Sequence, residues 1–313
     1  MWGYIGRRVL AIVPVLLVVA VVVFLMLRLT PGDPAAVIAG PSATGQDVAD
    51  IRAKLGLDRP IVAQFVLWVG GMLQGNLGES FFYKKTVAEL IGDRVGPTMS
   101  LAFFTIVLAT VIAVPLGTVA AYRQGTWIDR VVMGFSVLGF SVPVFVIGYL
   151  LIYVMSMQLE WFPVQGYQRL NEGVGGWLHR LVLPSCALAV IYVALIARMT
   201  RTSVLEVLGE DYVRTARAKG LAPVKVLVRH ALRNAAVPIV TVIGIGIALL
   251  IGGVVVTESV FNIPGLGRLT VDAVLARDYP TVQAVIMLFS VFYVLINLAI
   301  DLLYTVLDPR IRY

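Results

Sequence analysis

The chain has 313 residues, of which 59 % are hydrophobic and only 14 % charged, with a mean hydropathy of +0.91. That is too apolar for a soluble domain of this size and marks a protein built for a bilayer. The formal net charge of +7 does not signal nucleic-acid binding, because no aromatic or recognition pattern accompanies the basic residues.

In chain order, six charge-free runs stand out: Val9–Leu27, Gly96–Tyr122, Val131–Leu159, Leu181–Ala197, Asn234–Thr257 and Tyr279–Ile300. The shortest has 17 residues and, at about 1.5 Å per residue, only just crosses a hydrocarbon layer of roughly 30 Å. None alternates with period two, and backbone in lipid must satisfy its own hydrogen bonds, so helices are expected. The expectation is an all-α polytopic membrane protein with six transmembrane helices, at about 9–29, 99–122, 131–157, 181–198, 235–257 and 280–304. The first run is nearly twice the usual length of a secretion-signal core. It ends in Arg28-Leu-Thr-Pro-Gly-Asp-Pro34 rather than a small-residue cleavage site, and reads as an uncleaved anchor.

The 30–98 segment is the only sizeable part outside the runs. It opens with a Pro31-Gly-Asp-Pro34 turn and a Pro41–Gly45 loop. Helical stretches follow at Asp47–Leu55 and Pro60–Gln74, the latter with Ile61, Phe65, Trp68 and Met72 on one stripe. A third begins at Thr86, where Glu89 completes a capping box. The segment reads as a lid, lying in the outer interface or packed on the spans; a ligand-binding domain is the alternative. Pro14, Pro115, Pro143, Pro184 and Pro238 mark places where the spans bend or begin. Gly244, Gly246, Gly252 and Gly253 permit either close helix approach or an unwound patch beside a pathway.

The basic residues set the orientation. Arg198 to Arg233 holds eight of them against three acids, the link after the second span carries Arg123 and Arg130, and Arg7, Arg8, Arg310 and Arg312 flank the termini. The segments 30–98, 160–180 and 258–278 are close to neutral. Basic loops stay in the cytoplasm, so residues 1–8, 199–234 and 309–313 are placed inside. His179 and His230 then lie on opposite sides and share no metal; no metal site is expected. Asp301 reads as an inner-interface acid paired with a base, or else as a proton or ion site.

Within 199–234 lies a short amphipathic element. Leu205, Leu208, Tyr212 and Ala216 recur at three- and four-residue steps, with Arg214, Arg217 and Lys219 around them. Gly220 stands where a left-handed cap is wanted and Pro223 prevents simple continuation. Val224, Leu227, Val228 and Ala231 begin a second helical pattern. Such a helix–elbow–helix is a handle for another protein. Motifs for chemistry are missing: the chain has no G-x-x-x-x-G-K-[ST], no His-Glu-x-x-His and no Ser/His or Ser/Lys constellation. No catalytic residue is expected.

The phrase Asp211-Tyr-Val-Arg-Thr-Ala-Arg-Ala-Lys-Gly220-Leu, followed by Arg229-His-Ala-Leu-Arg-Asn-Ala-Ala-Val-Pro238, resembles the cytoplasmic signature of ABC-importer permeases. Arg214-Thr215-Ala216 occupies the Glu-Ala-Ala positions and Gly220 the glycine. Pro31-Gly-Asp-Pro34, Leu55-Gly-Leu-Asp-Arg-Pro60, Gly75-Asn-Leu-Gly-Glu-Ser80, Pro264-Gly-Leu-Gly-Arg268, Arg277-Asp-Tyr-Pro280 and Asp308-Pro-Arg-Ile-Arg312 agree with it along the whole chain. The sequence is similar to the first permease subunit of dipeptide/oligopeptide importers.

That resemblance implies a type I ABC-importer permease fold in a bacterial inner membrane, with a permease core over 99–308. Expected partners are a second homologous permease, two cytoplasmic ATPase subunits that carry ATP and Mg, an extracytoplasmic solute-binding protein and a peptide cargo. The chain itself would bind no cofactor. The coupling helix maps to about Asp211–Ala218, with Asp211, Arg214, Thr215, Ala216, Arg217, Lys219 and Gly220 as its working residues; for Arg217 and Lys219 the alternative is anionic lipid. Glu258, Asn262 and Asp272 are the candidates to meet a peptide's charged ends. Nearby branches carry glutathione, opine-like conjugates or nickel. An ion-coupled secondary transporter and a scaffold that recruits a partner without transport are the rival classes.

Overall fold

The computed structural model describes residues 2–29, 33–40, 43–54, 56–80 and 82–307. Pro31, Gly32, Pro41, Ser42, Leu55 and the 308–313 tail, which the sequence reading used, lie outside the described residues. The elements in order are α1 (Trp2–Leu29), α2 (Pro34–Ala39), α3 (Gly45–Lys54), α4 (Ile61–Leu73), α5 (Val87–Tyr122), α6 (Trp127–Ser141) and α7 (Val144–Leu151). They continue with α8 (Val174–Leu208), α9 (Asp211–Ala218), α10 (Pro223–Lys225), α11 (Ala236–Val260), α12 (Leu266–Leu275) and α13 (Tyr279–Leu307). Among the described residues the only β pairing is an isolated bridge between Glu79 and Thr86, so the architecture is all-α.

Among the described residues four helices, α5, α8, α11 and α13, are long and apolar enough to cross a membrane, and a fifth span arises if α6 and the helix after it are one. The apolar part of α1, Leu10–Met26, is shorter. Where a single helix was expected over 131–157, the chain bends by 103° between α6 and the continuation Val144–Gln158. Pro143 explains the break. It offers no N–H to the preceding turn and drives Val142 into an extended conformation, φ −95° and ψ 124°. Helix α6 therefore closes on the Val142 N–H to Leu138 carbonyl bond, and α7 starts afresh.

The chain divides into two compact units, residues 97–267 with 296–313, and residues 1–96 with 268–295. In the first, α8 is the spine: 67 % of its apolar window is buried, against 33 % for α11. Lipid-exposed helices gain little from the hydrophobic effect on meeting, so they rely on close approach at small residues. A Cβ on Gly117 would stand 2.4 Å from the Ala197 carbonyl of α8, one on Gly253 2.7 Å from Leu188, and one on Gly244 2.3 Å from Ile300. Helix α11 runs unbroken through its glycines, without unwinding; Gly244, Gly246 and Gly253 allow close packing, whereas Gly252 faces open space.

In the other unit, α4 lays Phe65 and Trp68 against Phe24 of α1, with ring centroids 5.1 and 5.7 Å apart. The Arg28 guanidinium sits 3.5 Å above the Phe24 ring and donates to Gln64 Oε1. Two of the family-like phrases meet here. Ser80 and Thr281 both donate to Asp278 Oδ2, while Gly78 takes φ +88° and comes close to Pro280. The Glu89 N–H donates to Thr86 Oγ1 at 3.3 Å, giving the expected start of α5.

Candidate functional site

Helix α8 stops at Gly209, and Glu210 turns extended as the N-cap of α9. The break resets the helical phase, so the stripe read through Leu205, Leu208, Tyr212 and Ala216 does not form a single face. Val213 and Ala216 are the buried pair, packed with Val226, Leu208 and Leu221, whereas Tyr212 is 43 % exposed. The spacing i, i+3 of two small apolar residues between charges was the available signal for Val213. Burial, then the Glu210 carboxylate, push the Tyr212 phenol above its ordinary value, opposed by a side-chain hydrogen bond with Asn234.

The far end of α9 closes as the sequence predicts. Gly220 takes φ +75°. Its N–H donates to the Arg217 carbonyl at 2.9 Å, and the Leu221 N–H reaches back to the Ala216 carbonyl at 3.3 Å. This paired pattern, with Leu221 folded onto the Val213–Ala216 face, is a complete Schellman cap. It turns the chain sharply into α10 and a π-helical stretch, Val226–Leu232. Of the seven coupling candidates, Asp211, Arg214, Thr215, Arg217, Lys219 and Gly220 are exposed, and Ala216 is buried as an anchor. Asp211 and Arg214 approach to 3.3 Å.

A clasp that the sequence reading did not single out steadies the stem of this knob. Asp129 at the start of α6 accepts from both Arg201 Nε and Nη2 in a bidentate pair, and accepts the Gly125 N–H at 3.0 Å. Asp129 is buried and Arg201 largely so. The pair joins the α5–α6 link to the last turns of α8. The signal was a single acid set among Arg123 and Arg130.

The three pathway candidates are placed differently. Glu258, in the last turn of α11, is fully buried. It accepts the Thr98 hydroxyl at 2.6 Å, and Thr98 Oγ1 in turn accepts the Leu266 N–H at 2.8 Å. Gly265 and Gly267 leave no room for a Cβ against its carboxylate, at 2.0 and 3.0 Å. Asn262 takes the left-handed φ of +53° and is exposed. Asp272 belongs to the other compact unit, on α12, 3.8 Å from Arg268. Glu258 and Asn262 thus share one helix end and its loop.

Comparison with known proteins fits this arrangement. A family model described as the binding-protein-dependent transport system inner membrane component matches residues 113–313, and its N-terminal companion matches 1–102. A probable peptide ABC transporter permease of Sinorhizobium fredii is 55 % identical, covering 99 % of each chain. A glutathione transport system permease of Salmonella choleraesuis is 44 % identical over the full length of both. Among solved structures, an inward facing conformation of the MetNI methionine ABC transporter superposes with a TM-score of 0.58 at 20 % identity, covering 70 % of this chain and 96 % of that one.

The family model and the relatives define an ABC-type permease, a multi-pass inner-membrane transport subunit. The chain belongs to the family of binding-protein-dependent transport system inner membrane components.

Proposed function

We propose that this permease forms half of the path of an ATP-driven peptide importer, and that α9 is the handle by which separate ATPase subunits work it. The observation that carries the reading is the cap at Gly220. A short helix is locked to its stem through Val213, Ala216 and Leu221 while its other face stays polar and exposed. A rigid attachment with a free outer face suits force transmission between chains.

In this reading α1 and the broken α6–α7 pair complete six spans, and both termini, like α9, face the cytoplasm, as the basic residues suggest. Two ATPases with ATP and Mg dock on this α9 and its counterpart in a second, homologous permease. Their closure moves the spans between inward- and outward-facing states, and an extracytoplasmic binding protein delivers the cargo. The peptide relative at 55 % identity supports peptide cargo over glutathione, whose relative stands at 44 %.

Gly220→Val tests the handle. Nothing beyond its chain neighbours and own helix lies within 4 Å of a Cβ there, so the added Cβ has room and the substitution acts by opposing the left-handed backbone, at about 1–2 kcal/mol. Uptake by the assembled importer should fall at least tenfold while ATP hydrolysis and membrane insertion persist; Gly220→Asn, which tolerates the left-handed region, should restore most of it. Normal uptake by Gly220→Val defeats the proposal.

A further inference from the structure

A half-open cleft of about 920 Å³ lies beside α9, lined by the ends of α5 and α8 and the start of the π-helical stretch. Its lining combines apolar Ala121, Leu205, Leu208 and Leu227 with polar Arg123, Gln124 and Arg217. No carboxylate lines it, and among the described residues neither Arg123 nor Arg217 has an acidic partner. Two guanidiniums without an acidic partner, sharing a cleft with apolar side chains, ask for an occupant with an anionic head and a hydrocarbon tail.

The level of the cleft says where that occupant comes from. The charge-free run of α5 ends at Tyr122, immediately before Arg123. Ala121 packs in one cluster with Val204 and Leu205, which brings the α8 side to the same height. Tyr122 and Trp127, 47 % and 72 % exposed, stand at this edge as interfacial aromatics do. Arg214 and Arg217 divide accordingly: Arg214 is exposed beside Asp211 on the outer face, and Arg217 lines the cleft.

We infer that this cleft holds the phosphate of an anionic phospholipid at Arg123 and Arg217, with its acyl chains against Leu205 and Leu208, so that lipid braces the base of α9. The inference rests on the cytoplasmic placement of α9 proposed above. It reassigns Arg217 from a contact with a partner protein to a contact with the membrane.

The test is native mass spectrometry of the full chain, purified from its membrane, stripped of lipid and titrated with phosphatidylglycerol or phosphatidylcholine. The wild type should retain phosphatidylglycerol at least tenfold better than phosphatidylcholine. Arg123→Gln, which lies outside α9, should lose at least threefold of that preference, and the Arg123→Gln/Arg217→Gln pair all of it, with the thermal midpoint in phosphatidylcholine unchanged in both. Equal retention of the two lipids, or unchanged retention by Arg123→Gln, overturns the site. So does efficient crosslinking of the Leu208→Cys variant to a protein partner, which would make the occupant a polypeptide. If Arg123→Gln abolishes lipid retention while Gly220→Val still transports, the lipid site stands and the handle falls; the reverse pair of results sinks the lipid site alone.

Discussion

The ends of α9 and α11 are the same device put to opposite uses. Each helix closes with a left-handed residue, Gly220 or Asn262, and each carries a hydrogen bond from the residue after it back to the last turn: Leu221 to Ala216 at 3.3 Å and Ile263 to Glu258 at 2.9 Å. A Cβ built on Gly220 would meet nothing within 4 Å. The Asn262 loop instead wraps a sealed carboxylate, with two glycines pressed against it. The difference is in what backs the cap. An open cap leaves a surface for others to grip; a filled one makes a strut. Local backbone geometry alone therefore does not say which loop is a working part.

The strongest way to break this comparison is to empty the strut. Glu258→Ala deletes a buried side chain and strands the Thr98 hydroxyl in an apolar setting. Cavity and lost hydrogen bonding together should cost about 3 kcal/mol. The thermal midpoint in detergent should drop by several degrees and expression should fall with it. The contrast with Gly220→Val is the point: there transport fails in a stable protein, here stability fails first. A Glu258→Ala protein of wild-type stability that has altered cargo preference would return Glu258 to the pathway.

A smaller effect separates the two caps by residue type. Asn262→Gly should be tolerated, because glycine reaches φ +53° freely. Asn262→Val should lose about 1–2 kcal/mol, since a branched Cβ resists that region. If both variants unfold equally, the Asn262 side chain holds the loop and the backbone explanation is wrong.

Most of the helical content was legible in the sequence because it depends on composition: charge-free runs long enough to span lipid leave the backbone no other choice. The Gly220 cap was legible because glycine followed by proline is a local signal. What escaped depended on partners far along the chain. Pro143 was recognised as a bend or a start, yet the size of the break comes from Val142 being forced extended, and only the structure gives its direction. Tyr212 was read onto the buried face because the stripe was extended through Gly209 as if the helix were continuous. Asp129 and Arg201, 72 residues apart, and Ser80 and Asp278, 198 apart, share no local pattern. The inward turn of Glu258 was hidden for the same reason: its donor Thr98 lies 160 residues away.

The least disruptive change probes the outer face of α9. Asp211 and Arg214 form an ion pair with side chains 95 % and 73 % exposed, and water screens such a pair so well that it is worth at most about 0.5 kcal/mol. Asp211→Asn and Arg214→Gln should each leave the thermal midpoint within a degree of the wild type. Their effect should show only when a partner covers them, because burying one charge of a severed pair against another protein leaves that charge unmatched. Affinity for the ATPase subunits, measured by titration into the permease in nanodiscs, should then weaken severalfold and become less sensitive to salt. If docking is unchanged in both variants, the gripping surface lies elsewhere on the knob, and the open cap at Gly220 serves a hinge and not a handle.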